Sequence, residues 1–299
     1  MDTGKTMNKL DSLPLDYIDK IVEIAIAEDV GQGDVTSEKL IPADLQGRAY
    51  MLVKQDGVIA GTKVVERVFH RVDSEIKIKI QLEDGATVKT GDIPMQIAGN
   101  VCSILKAERV ALNFFQRMSG IASTTALYVA QVKDLNVEIA DTRKTTPVLR
   151  LLEKYSVKMG GGRNHRMDLS DAILIKDNHF AALRALGMSY RDIVCKAKNL
   201  APSNMIVEAE ARTIQEAIDA VEAEVDIIML DNMNIMEMTR AVELIAGRAE
   251  VEASGGITIK NVRAVAETGV DFISIGALTH SYNALDISLE LEPQTFKLF

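Results

Sequence analysis

Basic side chains are concentrated in one segment of an otherwise acidic chain. The 299 residues carry a formal net charge of −9, yet residues 143–176 hold eight Lys and Arg against three Asp and Glu. This segment contains Arg143, Lys144, His165, Arg166 and Lys176. The planar forks of arginine match carboxylates in pairs, whereas lysines are point charges suited to phosphate oxygens or a developing negative charge. The segment therefore predicts a pocket for a small anionic ligand.

Two carboxylates, Glu210 and Asp231, follow neighbouring predicted strands. Mg²⁺ takes few protein ligands and shares the rest of its shell with water or substrate oxygens, so this pair predicts a magnesium site. The alternative is structural, with both carboxylates paired to Lys144 or Lys176.

Small residues follow the last two predicted strands, in Ser254-Gly255-Gly256 and in Ser274-Ile275-Gly276-Ala277. In barrels, such turns bind phosphate through backbone N–H groups and a helix N-terminus. A single turn of this kind is equally consistent with a tight connection, but two in succession favour phosphate binding. His280 lies just beyond the second turn and remains a weaker candidate.

These residues sit on a repeated pattern of strand, loop and helix after residue 135. The predicted strands are residues 137–140, 172–175, 205–209, 226–230, 250–253 and 271–275. Their apolar continuity is typical of parallel strands buried on both faces, in a barrel or an open sheet. Enzymes of this architecture build their sites at the carboxyl ends of the strands, where the polar residues stand.

The first half of the chain predicts a mixed α+β domain. Residues 15–29 form an amphipathic helix, and residues 47–99 alternate as short strands and turns, interrupted by a helix at 62–72. A long helix over 102–132 follows, with a break expected near Ser119 and Gly120. Thr146 and Pro147 predict another helix start, with Pro147 at its first position.

Composition excludes several classes of protein. No apolar run approaches the roughly 20 residues of a membrane-spanning helix, and the net charge argues against non-specific nucleic-acid binding. Two cysteines are too few for a disulfide framework. No GxGxxG follows a predicted strand, which disfavours a dinucleotide fold. The N-terminal residues lack the apolar core of a secretory signal, so we expect a cytoplasmic protein.

Longer motifs connect the chain to a known family. They are EDVGQGDVTSE at 28–38, ERVALNFFQRMSGIAS at 108–123, DTRKTTP at 141–147, EKYSVKMGGGRNHRMDLSDAILIKDNH at 153–179, IMLDN at 228–232, EASGGI at 252–257 and ISIGALTHS at 273–281. With them the chain resembles the quinolinate phosphoribosyltransferases almost from end to end. One departure is Val148, which stands where the family usually has glycine.

The resemblance implies transfer of a phosphoribosyl group from 5-phosphoribosyl-1-diphosphate to quinolinate, with loss of CO₂ and diphosphate, giving nicotinate mononucleotide for NAD biosynthesis. It also implies an N-terminal α/β sandwich domain over residues 1–117 and an incomplete parallel α/β barrel over 118–299. Whether the extreme C-terminus returns to the first domain is not decided by the resemblance. The expected assembly is a homodimer with shared sites, in which one subunit's first domain covers the other's barrel mouth.

Residue roles follow from the same resemblance. The acceptor's two carboxylates would contact Arg143, His165, Arg166 and Lys176, joined by Arg109 from the partner subunit. The donor would contact Lys144, Glu210, Asp231, Ser254, Gly255 and Gly276, with Glu210 and Asp231 also holding Mg²⁺. Glu208 is an alternative to Glu210. The catalytic set is Lys144, Lys176, Glu210 and Asp231, with Lys176 facing the carboxylate that leaves.

Three alternatives remain at this point. A Schiff-base aldolase would use a lysine at the end of a barrel strand, such as Lys176, but would not need the neighbouring Arg and His residues. A related transferase could act on nicotinate or on a precursor of a metal cofactor. A phosphometabolite-binding module would use the glycine turns but not the carboxylates at 210 and 231.

Overall fold

The computed structural model of the chain describes residues 7, 10 and 12–298. It contains two compact units, and the chain passes between them more than once. Among the described residues, the N-terminal unit comprises 10, 12–126, 148–161 and 282–298, and the C-terminal unit comprises 127–147 and 162–281 together with Met7. Within the described residues, no helix is both long and apolar enough to cross a membrane.

The helices and strands are numbered in chain order. The helices are α1 Leu15–Val30, α2 Ser37–Leu40, α3 Thr62–Val72, α4 Val101–Val132, α5 Arg150–Met159, α6 Asp177–Arg184, α7 Tyr190–Leu200, α8 Ile214–Glu222, α9 Ile235–Ile245, α10 Val262–Ala266 and α11 Ala277–His280, with a 3-10 turn at Pro293–Thr295. The strands are β1 Gln46–Val53, β2 Gly57–Val58, β3 Lys77–Ile80, β4 Thr87–Val88, β5 Met95–Asn100, β6 Glu138–Ala140, β7 Ile173–Ile175, β8 Val207–Ala211, β9 Ile227–Asp231, β10 Glu250–Ser254, β11 Phe272–Ser274 and β12 Ile287–Leu291.

The N-terminal unit is built on an antiparallel sheet in the order β12-β1-β5-β3. Alternate residues of β1 are buried, among them Ala49, Met51 and Val53, because one face of the strand packs on the core. Phe69 of α3 and Phe115 of α4 are fully buried in the same core. The C-terminal segment thus returns to this unit as β12, which pairs with β1.

The C-terminal unit is a six-stranded parallel sheet in the order β6-β11-β10-β9-β8-β7. Most residues of β8 to β11 are buried on both faces, as expected where helices cover a parallel sheet. This confirms the predicted fold class of an α+β domain joined to a parallel α/β domain. It also confirms all six predicted strands, with β8 starting two residues later than expected.

The position of the unit boundary depends on long-range packing. The sequence placed it between residues 117 and 118, whereas the chain leaves the N-terminal unit inside α4, after Ala126. Residues 148–161, which carry α5, also belong to the N-terminal unit.

The expected break of the long helix near Ser119 and Gly120 is wrong, because α4 runs without interruption for 32 residues. Both residues are placed by contacts of the helix with its own unit. The hydroxyl of the fully buried Ser119 accepts a hydrogen bond from the Ala60 N–H at 3.1 Å. A Cβ at position 120 would lie 2.2 Å from the Asn283 carbonyl oxygen. The small residues therefore allow close backbone approach and do not end the helix.

The predicted helix start at Thr146 and Pro147 is also wrong, since α5 begins at Arg150. Between them, Val148 adopts a left-handed conformation with φ 62°. Its carbonyl accepts a 2.6 Å hydrogen bond from the Tyr17 hydroxyl. This backbone conformation is unfavourable for a β-branched residue and favourable for glycine, because the Cβ substituents crowd the neighbouring peptide groups.

Replacing Val148 by glycine should therefore stabilise the protein. The Val148 side chain is 77% exposed, so little apolar burial is lost. We expect the free energy of unfolding to rise by roughly 1 kcal/mol as the strain is relieved. Urea unfolding of Val148→Gly measures this change in the free energy of unfolding, with Val35→Gly as control. Val35 is exposed and lacks a positive φ, so its replacement should destabilise. A fall in stability of similar size for both variants would contradict the prediction.

Candidate active site

The register of the parallel sheet brings the carboxyl ends of the strands to one edge. Ser254 pairs with Asp231 on one side and with Ser274 on the other. Ser274 in turn pairs with Ala140, and Glu210 with Met229. Residues as far apart in the chain as Ala140 and Ser274 therefore lie on adjacent strand ends.

The segment after Gly160, Gly161 and Gly162 extends this edge beyond β6, because Arg163 forms a parallel bridge with Ala140. The Arg163 N–H donates to the Ile139 carbonyl at 2.7 Å. The fully buried carboxylate of Asp141 then accepts from the His165 N–H at 2.9 Å and from the Asn164 side chain at 2.7 Å. Gly160 caps the C-terminal end of α5. Asp141 thus sets the position of His165 through its backbone.

His165 is buried between two carboxylates. Its Nε2 lies 3.0 Å from Glu208 Oε2 and 3.2 Å from Glu252 Oε2, and both glutamates are inaccessible to solvent. Burial alone would lower the pKa of His165, but attraction to the two carboxylates outweighs it and raises the pKa to about 10. At neutral pH the ring is therefore an imidazolium that can donate from both nitrogens.

The pKa values of the two glutamates shift in opposite directions. Burial, reinforced by repulsion from Glu252, raises the pKa of Glu208 to about 8. Burial acts against ionisation of Glu252 as well, but attraction to His165 and hydrogen bonding hold its pKa below the ordinary value. The cluster therefore retains protons in the interior of the C-terminal unit.

Two arginines, Arg143 and Arg166, have unused hydrogen-bonding capacity. The Nε atoms of Arg143 and Arg166 are buried and have no hydrogen-bond partner among the described residues. Arg166 also donates to the Ala172 carbonyl at 3.1 Å, which fixes its direction. Burial and repulsion from Arg143 lower the pKa of Arg166. Like charges with buried, unpaired N–H groups favour an anion, and a carboxylate would satisfy both.

A cluster of carboxylates forms a second part of the edge. Glu210, inside β8, and Asp231, the last residue of β9, both contact Arg212 Nε, at 3.1 and 3.3 Å. Burial and then repulsion from Asp231 raise the pKa of Glu210, and Arg212 acts in the opposite direction. Glu210 and Asp231 thus pair with Arg212. Among the described residues, neither pairs with Lys144 or Lys176, so that alternative is wrong. Glu208, in contrast, contacts His165.

The first glycine turn packs against the end of β9. Gly255 has φ 94°, and a Cβ there would lie 2.3 Å from Asn232 Oδ1. The Asn232 N–H donates to the Ser254 carbonyl at 2.9 Å, and its side chain donates to Asp231 Oδ2 at 2.9 Å. Only glycine fits this position, and the turn is tied directly to the carboxylate cluster.

The second turn lies beside Lys144. A Cβ on Gly276 would approach the Lys144 side chain to 2.9 Å and His280 Nε2 to 3.1 Å. The Thr279 hydroxyl donates to the Lys144 carbonyl at 2.8 Å, which joins α11 to the loop after β6. His280 is thus near the predicted donor residues.

The remaining predicted residues lie at the start of α6 and in the other unit. Lys176 is exposed directly after β7, and its N–H donates to His179 Nδ1 at 2.9 Å. Arg109 is exposed on α4 in the N-terminal unit.

Sequence reasoning missed two residues of this site. Glu252 was passed over inside an apolar strand, although it has the same parity as Ser254 and so shares its face of the sheet. Arg212 was passed over because no pattern in the sequence shows which carboxylates a surface arginine reaches. Its position two residues after Glu210 was the available signal.

Comparison with known proteins adds independent information. The family model described as "Quinolinate phosphoribosyl transferase, C-terminal domain" matches residues 121–290, and the model of the N-terminal domain matches residues 34–119. The chain belongs to the quinolinate phosphoribosyltransferase family. The resemblance read from the motifs is confirmed, and with it the assignment to the phosphoribosyltransferases of NAD biosynthesis.

Individual members of the quinolinate phosphoribosyltransferase family match nearly the whole chain. A curated protein of Arabidopsis thaliana, named nicotinate-nucleotide pyrophosphorylase (carboxylating), chloroplastic, is 42% identical over 92% of this chain and 82% of its own length. A protein of Synechocystis with the name probable nicotinate-nucleotide pyrophosphorylase (carboxylating) is 38% identical over 93% of this chain and 94% of its own. The solved nicotinate-nucleotide pyrophosphorylase of Francisella tularensis superposes with a TM-score of 0.91 at 36% identity, covering 96% of this chain and all of that one.

The His165 environment yields a prediction about pH. The pKa of His165 is raised from 6.5 to about 10 in the folded protein, so the folded state binds more protons than the unfolded state between these values. The stabilisation by His165 is complete below about pH 6.5 and is lost as pH rises through about 10. NMR of protein labelled with ¹³C at histidine should show one signal titrating near pH 10.

That signal is assigned by its absence in His165→Gln. In Glu252→Gln it should titrate at lower pH, because one of the two attracting carboxylates is gone. A His165 signal that titrates near the ordinary value of 6.5 in the unsubstituted protein would contradict the prediction.

Proposed function

We propose that the chain forms nicotinate mononucleotide from quinolinate and 5-phosphoribosyl-1-diphosphate, releasing CO₂ and diphosphate. The observation that carries the proposal is a pair of arginines, Arg143 and Arg166, whose buried Nε atoms have no hydrogen-bond partner among the described residues. His165, which directly precedes Arg166 in the chain, is held as an imidazolium. A dicarboxylate supplies the two anionic groups that this set of cations lacks.

The acceptor's carboxylates would be divided among these cations. The forks of Arg143 and Arg166 would each donate to a carboxylate, and His165 would donate from Nδ1, since its Nε2 faces the two glutamates. Lys176, exposed at the end of β7, would face the carboxylate that leaves. Such fixed donors orient the ring nitrogen towards the ribose carbon.

The donor would lie along the other part of the edge. Lys144 and the backbone N–H groups near Ser254, Gly255 and Gly276 suit its phosphate and diphosphate oxygens. Glu210 and Asp231 suit the ribose hydroxyls and Mg²⁺. The fit to a divalent cation is supported by the convergence of both carboxylates on one Arg212 nitrogen. When bound, Mg²⁺ would supply charge that stabilises the leaving diphosphate.

The residues of the chain then act mainly by placing charge. As the bond from the ribose carbon to diphosphate breaks, positive charge develops at that carbon, and Glu210 and Asp231 stabilise it while Lys144 stabilises the leaving group. The ring nitrogen bonds to the ribose carbon and becomes positive. The neighbouring carboxylate then leaves as CO₂, and the electron pair left on the ring, stabilised by that positive nitrogen, takes a proton.

The assembly is a separate part of the proposal. We propose a homodimer in which Arg109 of one subunit reaches the acceptor of the other. Support comes from the exposure of Arg109 on α4 and from the motif that carries it. A cytoplasmic location also stays a prediction, because curated plant relatives are named chloroplastic or mitochondrial.

Turnover with purified protein tests the reaction. We expect nicotinate mononucleotide and labelled CO₂ from carboxyl-labelled quinolinate, 5-phosphoribosyl-1-diphosphate and Mg²⁺, and little product with nicotinate as acceptor, because nicotinate leaves one cationic group unpaired. Product from nicotinate alone would show that the acceptor is wrong. Borohydride trapping of a substrate on Lys176 would instead support the aldolase alternative.

Subunit mixing tests the shared site. Arg109→Ala and Lys176→Ala should each lower kcat/KM, by about 10²- to 10³-fold for one electrostatic group. A purified heterodimer of the two variants places both substitutions in one site and leaves the other intact, so it should regain about half of the original activity. Lys196→Ala, an exposed lysine of α7, serves as control and should keep full activity. A heterodimer as inactive as its parents would contradict the shared site.

A further inference from the structure

Arg212 already occupies the position in which the proposed function needs a metal ion. Its Nε lies 3.1 Å from Glu210 Oε1 and 3.3 Å from Asp231 Oδ2, and its Nη2 lies 3.0 Å from Asp177 Oδ2. Three carboxylates from three different elements thus surround one guanidinium. Glu210 and Asp231 are largely buried, with side-chain exposures of 8% and 14%, and water screens them only in part.

The guanidinium and a divalent cation need the same carboxylate lone pairs. An arginine donates N–H groups to carboxylate oxygens and has no atom that can ligate a metal. Mg²⁺ requires those oxygens unblocked, and it is repelled by a positive charge a few ångströms away. Both cations therefore cannot hold this pair of carboxylates at once.

The arginine is built so that its side chain can leave while its backbone stays. The Arg212 N–H is fixed by a 2.9 Å hydrogen bond to Glu216 Oε2 at the start of α8. The side chain itself is 53% exposed. A cavity of about 260 Å³, lined in part by Asp177, Phe180 and Arg184, adjoins it and offers space for another rotamer.

We propose that Arg212 is an internal competitor of the divalent cation, which neutralises Glu210 and Asp231 in the free protein and has to be displaced when the metal binds with the donor. This inference rests on the proposed function, since it takes the same two carboxylates as the metal ligands. It assigns to Arg212 control over how much divalent cation the site requires.

The test measures binding of Mn²⁺ alone, without substrates. Binding is monitored by the electron paramagnetic resonance signal of the free ion. Arg212→Gln removes the charge and keeps a side chain of similar polarity. We expect it to bind Mn²⁺ roughly fivefold to tenfold more tightly than the unsubstituted protein, because a charge repelling a divalent ion at contact range is gone. Asp231→Asn in the same background should abolish the gain and so locate the ion.

Two control variants separate charge at this position from general effects. Arg191→Gln removes an arginine of similar exposure that pairs only with Glu222 among the contacts described, and should leave Mn²⁺ binding unchanged. Arg212→Lys keeps the charge and should stay within about twofold of the unsubstituted protein. Unchanged, weaker or undetectable Mn²⁺ binding by Arg212→Gln overturns the proposal, as does an equal gain in Arg191→Gln or Arg212→Lys.

The outcome is independent of the reaction assay. If quinolinate is turned over but Arg212→Gln binds Mn²⁺ no more tightly, the competitor role fails and the proposed function stands. If quinolinate is not turned over but the variant gains Mn²⁺ affinity, the proposed reaction fails, and the competition between Arg212 and a divalent cation stands.

Discussion

The parallel register of β8, β9 and β10 is the constraint on which the whole site depends. In a parallel sheet, every strand ends at the same edge, so one polar residue placed at the end of each strand is enough to assemble a pocket. Here that register places Asp231 beside Ser254, and Glu210 one strand away. A shift of one residue in any of these strands would turn its side chain to the opposite face and remove it from the site.

Within that edge, the charges are separated by sign. Arg143, Arg166 and the imidazolium of His165 form a cationic part, whereas Glu210, Asp231 and Asp177 form an anionic part with Arg212 at its centre. Under the proposed function, the two parts would bind different chemical groups, carboxylates in one and metal with ribose hydroxyls in the other. An acidic chain can therefore bind anionic substrates, because its local charge differs from its net charge.

The interior of the sheet supports this separation. Glu208 and Glu252 are fully buried, which is costly for carboxylates, and His165 is the group that pairs with both. Their attraction to His165 raises its pKa. A buried cluster that would otherwise only destabilise the fold thus preserves a positive charge at the edge where the parallel strands end.

Sequence alone determined the family and the order of the parallel strands along the chain. Strand periodicity located β6 to β11, and the motifs around Arg143 and His165 identified the family, because local pattern and side-chain type are written along the chain. Tertiary structure decided what depends on distant contacts. Ser119 and Gly120 continue a helix because Ala60 and Asn283 pack against them, and residues 148–161 belong to the first unit. Only the folded sheet shows that Glu208 meets His165 and that Arg212 meets Glu210 and Asp231, since pairing of charges depends on three-dimensional distance and not on separation along the chain.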